Sequence, residues 1–295
     1  METGQSLQQQ NGIKAESGGG MVKKQNDAEH PLVSIITIVL NGESWIRQTI
    51  DSVLQQDYGF IEYIVIDGGS HDDTVSILRE YDSNIDFWQS EPDKGISDAF
   101  NKGIKVAHGD VIGLINAGDW YEADTVRRVV EALLAEPTVG VVCGALQFWH
   151  GLQREYLCYS VPQLLGREMT VTHPTCFVRA ELYRSFGLFS SDYKFAMDYE
   201  LLLRFKKQGV RFLALDSVLA NMQHDGISEE NWKKALQETH RARIELSGKS
   251  FFTSRAYYWF ILLKRQLRIF LEKRGWKSLL HFYRSRLAPV KKTKS

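Results

Sequence analysis

The chain has few cysteines, no pattern of a secretory signal and no long apolar run. Its three cysteines, among 295 residues, fall in no spacing that is typical of metal ligands. They argue against a disulfide framework and for a reducing compartment, and the simplest role for them is as small buried side chains. The first thirty residues are rich in Gln, Gly, Lys and Glu and lack the apolar core of a signal peptide. We therefore expect residues 1–30 to form a disordered leader.

The longest apolar run, Tyr257–Leu263, is far shorter than the roughly 20 residues that an α-helix needs to cross a bilayer. The remaining composition, 43% hydrophobic and 24% charged, is that of a globular chain that can bury a normal core. We expect a cytoplasmic protein that is not integral to a membrane.

The formal net charge of zero hides an uneven distribution of charge. From Arg255 to Ser295 there are 12 Lys and Arg side chains and one acid, which leaves 24 basic and 35 acidic side chains before them, a net of about −11. Apolar residues recur in this basic tail at Trp259, Leu263, Leu267, Phe270, Trp276, Leu280, Tyr283 and Leu287. The pattern predicts one or two basic amphipathic helices, which favour an anionic membrane surface at the inner face of the membrane. Docking on the protein itself or on a partner protein is a competing interpretation, and we expect no binding to nucleic acid.

The stretch from residue 32 to residue 143 alternates between apolar runs of strand length and segments with helical spacing. Strands are predicted at 32–40, 61–66, 85–90, 111–115 and 139–143, with helices at about 45–54, 72–81, 96–107 and 124–135. Such alternation predicts βαβ units and a doubly wound α/β half. From residue 144 the alternation weakens, and a helix at 197–208 and a strand at 210–215 are predicted.

Two of the predicted strands run directly into polar residues that end in a carboxylate. The strand at 61–66 is followed by Asp67, and the strand at 111–115 is followed by the segment Asn116 to Asp119. Ligands of open α/β sheets bind in the crevice at the carboxyl ends of the strands. The two endings therefore predict one polar cleft for hydroxyl groups, phosphates or a metal ion. A dinucleotide-binding oxidoreductase is disfavoured, because the first strand lacks the G-x-G-x-x-G turn.

Four sequence blocks, in this order, resemble the inverting family 2 glycosyltransferases of the GT-A fold. The blocks are Ser34 to Thr37 with Asn41, Val65 to Ser70 with Asp73 and Thr74, Asp93 to Gly103, and Asn116 to Asp119. The resemblance covers residues 31–228 and implies a mixed, mainly parallel α/β sheet with flanking helices. It implies a donor-binding half at 31–143 and an acceptor half at 144–228, followed by the helical basic region at 229–295.

The resemblance implies a site for a nucleotide-sugar donor. Asp67 matches the acid that holds the base, and Thr37 and Asn41 lie beside it. Gly68 lets the backbone come close to a ligand.

The next two blocks are expected to complete the donor site. Asp98 and Lys94 match contacts to the nucleotide and its diphosphate, although the residues alone equally allow a solvated helix cap there. Asn116 stands where many members have an acid, but its side-chain carbonyl can still accept a hydrogen bond from a hydroxyl group.

The resemblance also implies a divalent cation, Mg²⁺ or Mn²⁺, on the donor diphosphate. Asp119 matches the acid that contacts this cation, and a cap on the following turn is its alternative role. Asn116 and Gly118 replace common acids, so metal affinity is expected to be weaker than in many members. His224 lies after the last strand, where related enzymes sometimes supply a further metal or diphosphate contact.

The acceptor side is expected to hold the catalytic base. Asp198 matches the base that takes a proton from the acceptor hydroxyl, although an acid in the first turn of a helix also complements the helix dipole. Met197 replaces the acidic neighbour that is usual there. His173 matches a region that lines the acceptor pocket, and Glu200 either orients the site or faces solvent.

We expect a glycosyltransferase that moves a sugar from a nucleotide sugar to a glycan or to an undecaprenyl-diphosphate-linked glycan, in the assembly of bacterial surface polysaccharides. The alternative is a non-catalytic protein of the same fold that binds nucleotide sugars or acts as a scaffold.

Overall fold

The computed structural model describes residues 15–20, 30–223, 231–247, 251–276, 279 and 291–293. They form a mixed α/β structure in which helices cover both faces of a central sheet with a parallel core. The predicted fold class is confirmed.

The first half of the chain follows the predicted alternation. Its elements are β1 (Glu16–Gly18), β2 (Val33–Val39), α1 (Ile46–Leu54), β3 (Ile61–Asp67), α2 (Thr74–Glu80), β4 (Phe87–Ser90), α3 (Ile96–Val106) and β5 (Val111–Asn116). Strand β1 corrects the expectation of a wholly disordered leader, because it pairs antiparallel with β4 at the edge of the sheet. Pairing with an existing edge supplies backbone hydrogen bonds that a polar composition does not reveal.

The second half contains more strand than the apolar pattern predicts. Its elements are β6 (Trp120–Tyr121), α4 (Thr125–Ala135), β7 (Val139–His150), β8 (Gln153–Cys158), β9 (Phe177–Arg179), α5 (Ala180–Phe186), α6 (Met197–Lys207), β10 (Arg211–Gln223), α7 (Trp232–Ser247), α8 (Phe251–Lys273) and β11 (Lys291–Thr293). Strands β7 and β10 continue past the predicted ends because they pair in parallel with each other as far as Trp149 and Gln223.

The strands lie in the order β1-β4-β3-β2-β5-β9-β7-β10-β6. Outside this order, β8 pairs with β7, and β11 pairs with β8. Strands β4, β3, β2 and β5 are parallel to one another. The loops after β2, β3 and β5 therefore meet at one edge of the sheet. Strand β9 is antiparallel to both β5 and β7 and joins the two halves.

Each face of the sheet has its own apolar core, because side chains alternate along the strands. On β2, Ile35 packs with residues of α1, α2 and α4, whereas Ile36 packs with residues of α3, α5 and α6. The start of α6 therefore lies on the same face as α3. Among the helices that the structure describes, none is both long and apolar enough to cross a bilayer.

Candidate active site

The side chain of Asp67 organises the loop that follows β3. It is fully buried. Its Oδ2 accepts hydrogen bonds from the N–H of Gly69 (3.1 Å), the N–H of Ser70 (2.9 Å) and the hydroxyl of Ser90 (2.6 Å). Its Oδ1 accepts one from the Ser70 hydroxyl. The carboxylate thus holds the 67–70 loop in one conformation from inside.

Asn41 and Gly68 join this loop to the end of β2. Asn41 has a left-handed backbone (φ 50°), its N–H donates to the Ser70 hydroxyl at 2.7 Å, and its Oδ1 accepts from the N–H of His71 at 2.9 Å. A Cβ on Gly68 would lie 2.5 Å from Oδ2 of Asp93, so a larger residue here would require the Asp93 side chain to move. The structure brings Asn41, Asp67 and Gly68 together, as predicted.

Thr37 does not lie at this edge of the sheet. It is two residues before the end of β2 and fully buried, and its hydroxyl is 3.0 Å from the hydroxyl of Tyr63. The donor contact predicted for Thr37 is corrected, because this side chain satisfies a buried tyrosine in the core instead.

Hydrogen bonds from backbone N–H groups to two nearby carboxylates hold the loop before α3. Asp98, in the first turn of α3, accepts a hydrogen bond from the N–H of Lys94 at 3.1 Å, and Asp93 accepts one from the N–H of Gly95 at 2.7 Å. The Lys94 side chain is exposed. In these contacts Asp98 acts as a local cap, which is the alternative that the sequence leaves open.

Asp119 is held in a tight turn after β5. Thr49 of α1 fixes this turn, since its hydroxyl donates to the Asp119 carbonyl (2.7 Å) and accepts from the N–H of Gly118 (3.0 Å). The Asp119 carboxylate is 4% exposed, and Nδ2 of Asn116 lies 3.4 Å from its Oδ2. Burial raises the pKa of Asp119 to about 7, against the opposing hydrogen bond from Asn116.

Asp119 fits a divalent cation as a single carboxylate ligand. A buried carboxylate with one weak donor nearby gains from a cation, and Mg²⁺ commonly binds one or two carboxylates together with substrate phosphates. The described part of the chain has no group of three His, Cys, Asp or Glu side chains that could hold a metal on its own. The diphosphate would therefore have to supply ligands. His224 lies outside the described residues.

Asp198 and His173 come together on the α3 face of the sheet. Asp198 is partly exposed in the first turn of α6, and its Oδ1 accepts a hydrogen bond from the N–H of Tyr199 at 2.7 Å. The His173 ring packs against Phe100 and Phe189, with ring centroids 5.6 and 6.0 Å apart. Burial lowers the pKa of His173, and the charge of Asp198 acts in the opposite direction. The base and acceptor-pocket residues predicted here are thus close enough to interact electrostatically.

Glu200 does not face an acceptor site. It is 6% exposed and forms a two-point ion pair with Arg204, with Oε1 to Nε and Oε2 to Nη2 both 2.9 Å. Arg204 also donates to the carbonyls of Gly187 (3.1 Å) and Leu188 (2.8 Å). The acceptor role expected of Glu200 is corrected, because this pair ties α6 to the loop after α5.

Sequence reasoning missed Glu238 of α7, which supports the segment that leads to Asp198. Its carboxylate accepts hydrogen bonds from the backbone N–H groups of Lys194 (3.0 Å), Phe195 (2.7 Å) and Ala196 (2.9 Å). Glu238 lies in a charged amphipathic helix, where the sequence pattern predicts a solvated residue. No local signal pairs it with α6.

Comparison with known proteins gives matches in sequence and matches in structure. Residues 34–178 match the sequence model of glycosyl transferase family 2. The chain is 37% identical over 179 residues to an uncharacterized glycosyltransferase of Mycobacterium tuberculosis, which is 59% of this chain and 68% of that relative.

Two solved structures share the fold. The mannosyltransferase PcManGT from Pyrobaculum calidifontis, in complex with GDP-Man and Mn²⁺, has a TM-score of 0.59 at 19% identity, covering 78% of this chain and 70% of that chain. S. aureus TarS 1-349, in complex with UDP-GlcNAc, has a TM-score of 0.56 at 18% identity, covering 72% of this chain and 66% of that chain. These sequence matches show that the chain belongs to glycosyl transferase family 2.

Proposed function

We propose that this glycosyltransferase moves a sugar from a nucleotide-sugar donor to a hydroxyl group of a glycan or lipid-linked glycan, with inversion at the anomeric carbon. The observation that supports it is the electrostatic interaction of Asp198, in the first turn of α6, with the buried His173. The turn at His173–Thr175 packs against β5, and Asp119 follows the end of β5. We propose that the partly exposed carboxylate of Asp198 and the buried one of Asp119 form two sides of one cleft.

The donor half is proposed to bind the nucleoside diphosphate at the edge formed by the loops after β2, β3 and β5. Asn41, Asp67 and Gly68 shape this edge, and Lys94 supplies a cation beside it. Asn116 is proposed to accept a hydrogen bond from a donor hydroxyl group through its side-chain carbonyl. The bound UDP-GlcNAc and GDP-Man of the two structural neighbours support a donor of this class.

In the reaction, the Asp198 carboxylate removes the proton from the acceptor hydroxyl while its oxygen bonds to the anomeric carbon. The bond from that carbon to the diphosphate oxygen breaks on the opposite side, and the nucleoside diphosphate leaves with the electron pair. His173 lines the acceptor side and holds its imidazole neutral. When a divalent cation is bound at Asp119, it neutralises charge on the leaving diphosphate.

The same proposal assigns a membrane surface to the outer side of α8. The exposed apolar side chains on this helix include Trp259, Phe260, Leu263, Leu267 and Phe270. At helical spacing they form one stripe, and Lys and Arg are frequent in the sequence of this helix and of the tail that follows it. An apolar stripe edged by Lys and Arg has the chemistry of a helix that lies in the interface of an anionic bilayer.

Binding and turnover measured together test this function. Thermal shift of the full chain against UDP, GDP and their sugar conjugates, with and without Mn²⁺, identifies the donor. Transfer or hydrolysis of that sugar is then followed in wild type and Asp119→Asn. We expect Mn²⁺-dependent binding that Asp119→Asn weakens. Donor binding with no turnover for any acceptor would favour the non-catalytic alternative.

A further inference from the structure

Three polar side chains on one side of α1 and just past its end bind the backbone of residues 118–126: Thr49, Ser52 and Gln56. We propose that this polar row positions Asp119 and thereby sets the affinity of the donor site for its divalent cation. The inference rests on the proposed function in one respect, since the cation is that of the nucleoside diphosphate complex. Because the three residues act through the backbone, they are positioning residues rather than ligands.

Thr49 holds the turn that carries the Asp119 carboxylate. Its hydroxyl donates to the Asp119 carbonyl at 2.7 Å and accepts from the N–H of Gly118 at 3.0 Å. The Thr49 side chain is fully buried, so water does not compete for either bond. Gly118 has a left-handed backbone (φ 100°), which marks the bend of the turn. Thr49 therefore bonds to the backbone on both sides of this bend.

Ser52 and Gln56 extend the same support beyond the turn. The Ser52 hydroxyl accepts a hydrogen bond from the N–H of Tyr121 at 3.2 Å. The Gln56 amide nitrogen donates to the carbonyl of Glu122 at 2.8 Å, and its Oε1 accepts from the N–H of Val126 at 3.0 Å. Three side chains of the polar row thus bind five backbone groups of this segment, which fixes the segment to α1.

The turn carries a single carboxylate, so the position of its backbone is important for a cation. Asp119 is the one acid among residues 116–119. Mg²⁺ requires nearly ideal octahedral geometry, and a shift of this carboxylate has no second acid in the turn to compensate for it. The hydrogen bond from Nδ2 of Asn116 to the carboxylate is long, at 3.4 Å, so the direction of the carboxylate depends on the backbone that Thr49 holds. Partners that orient a metal ligand typically contribute about 10–100-fold to metal affinity.

The nucleoside edge of the proposed donor site has supports of its own. Asp67 holds the loop after β3 from inside, through hydrogen bonds to the backbone and side chains of that loop and of β4. The start of α1 joins this loop separately, where the N–H of Gly42 donates to the hydroxyl of Thr74 at 2.9 Å. Weakening the polar row should therefore reduce the contribution of the cation and spare nucleotide binding without metal.

Calorimetric titration of the full chain with UDP and with GDP, each in Mn²⁺ and each in a chelator, tests this inference. Thr49→Val removes both hydroxyl bonds while it keeps the shape of the side chain. It should weaken binding of the preferred nucleotide in Mn²⁺ by about tenfold and leave its Kd in chelator unchanged. Thr49→Ser keeps the hydroxyl and should bind nearly as wild type does in both conditions. Amide hydrogen exchange without any ligand should be faster at Gly118 in Thr49→Val.

Thr37→Val is the matched control for loss of a buried hydroxyl. Thr37 is also fully buried, and its hydroxyl contacts that of Tyr63 at 3.0 Å in the core. This variant should keep both Kd values, and so should Asp198→Asn. Equal weakening with and without Mn²⁺ in Thr49→Val, an unchanged Kd in Mn²⁺, or a wild type that binds neither nucleotide more tightly with Mn²⁺ would overturn the inference.

Two further variants keep the inference testable if Thr49→Val does not fold. Ser52 and Gln56 are only partly buried. Ser52→Ala and Gln56→Ala should each weaken nucleotide binding in Mn²⁺ and not in chelator, and the absence of this difference in both would contradict the role of the polar row. The titrations contain no acceptor, so a failure of sugar transfer would count against the proposed reaction and not against this inference.

Discussion

The carboxylate of Glu238 accepts a hydrogen bond from the backbone N–H of Ala196 at 2.9 Å, and Ala196 is two residues before Asp198. The same carboxylate also binds the two preceding N–H groups. Helix α7, which lies outside the matched family segment 34–178, therefore sets the conformation in which α6 begins.

Replacing Glu238 should impair catalysis without affecting the donor. Glu238→Ala leaves three N–H groups without their acceptor, which costs about 1–3 kcal/mol for each group that stays buried. We expect a lower kcat, a nearly unchanged donor Kd, and partial recovery in Glu238→Gln, which keeps one acceptor oxygen. Steady-state kinetics and donor titration measure the two effects. Glu181→Gln, on the exposed side of α5, is the matched control, and a raised donor Kd with normal kcat would contradict this role.

The Glu200–Arg204 pair should matter for stability rather than for acceptor recognition. Glu200→Gln leaves Arg204 partly buried without its ionic partner, and breaking such a pair from one side costs about 3–5 kcal/mol. Urea unfolding of Glu200→Gln measures this loss. The acceptor KM of the folded fraction should stay near the wild-type value. A stable variant with a raised acceptor KM would restore the role that sequence resemblance assigned to Glu200.

His173 should contribute less to stability on mild acidification, whereas Asp119 should contribute more. Burial holds the pKa of His173 below its ordinary value of 6.5, so the folded state keeps the ring neutral while the unfolded chain takes up a proton. The contribution of His173 to the free energy of unfolding is full above about pH 6.5 and declines below it, by at most about 1.4 kcal/mol per pH unit for this one proton. Asp119, whose pKa is raised to about 7, contributes in the opposite direction over this range, so the His173 contribution is measured as the difference between wild type and His173→Gln. Urea unfolding of wild type and of His173→Gln between pH 5 and pH 8 measures this contribution. His173→Gln should flatten the decline, and an unchanged slope would show that other groups cause it.

The membrane assignment predicts a strong effect of single substitutions on α8. Leu263 is 68% exposed. The substitution Leu263→Gln should weaken binding to anionic vesicles by about tenfold, because burying a leucine side chain in the bilayer interface contributes about 1.5–3 kcal/mol. Leu134→Gln is the matched control, since Leu134 is 45% exposed on α4. Co-sedimentation with phosphatidylglycerol vesicles measures the difference. Equal binding of both variants would remove α8 from the interface.

Local sequence patterns predicted the secondary structure of residues 32–143 well. The apolar runs of β2, β3 and β5 and the helical spacing of α1, α3 and α4 depend on burial of each element against the sheet, which leaves a periodic trace in the sequence. The clustering of Asn41, Asp67 and Gly68 followed from the ends of parallel strands.

The predictions from sequence were wrong or incomplete where contacts between residues far apart in the chain determine the structure. Thr37 turned inward because Tyr63 needed a buried partner. Arg204, the partner of Glu200, is fixed by the distant carbonyls of Gly187 and Leu188. Glu238 reaches the start of α6 from about forty residues downstream in the sequence. Strand β1 exists because the edge of β4 was available. Such pairings leave no periodic trace, so spacing rules do not find them.

We propose Asp198 as the base for inverting transfer. Single-turnover transfer from the identified nucleotide sugar should fall by about 100-fold or more in Asp198→Asn, while the donor Kd stays unchanged. Asp216→Asn, at an exposed position of β10, should keep the wild-type rate. The product formed by wild type should have the anomeric configuration opposite to that of the donor. A rate for Asp198→Asn within a few-fold of wild type would contradict the account.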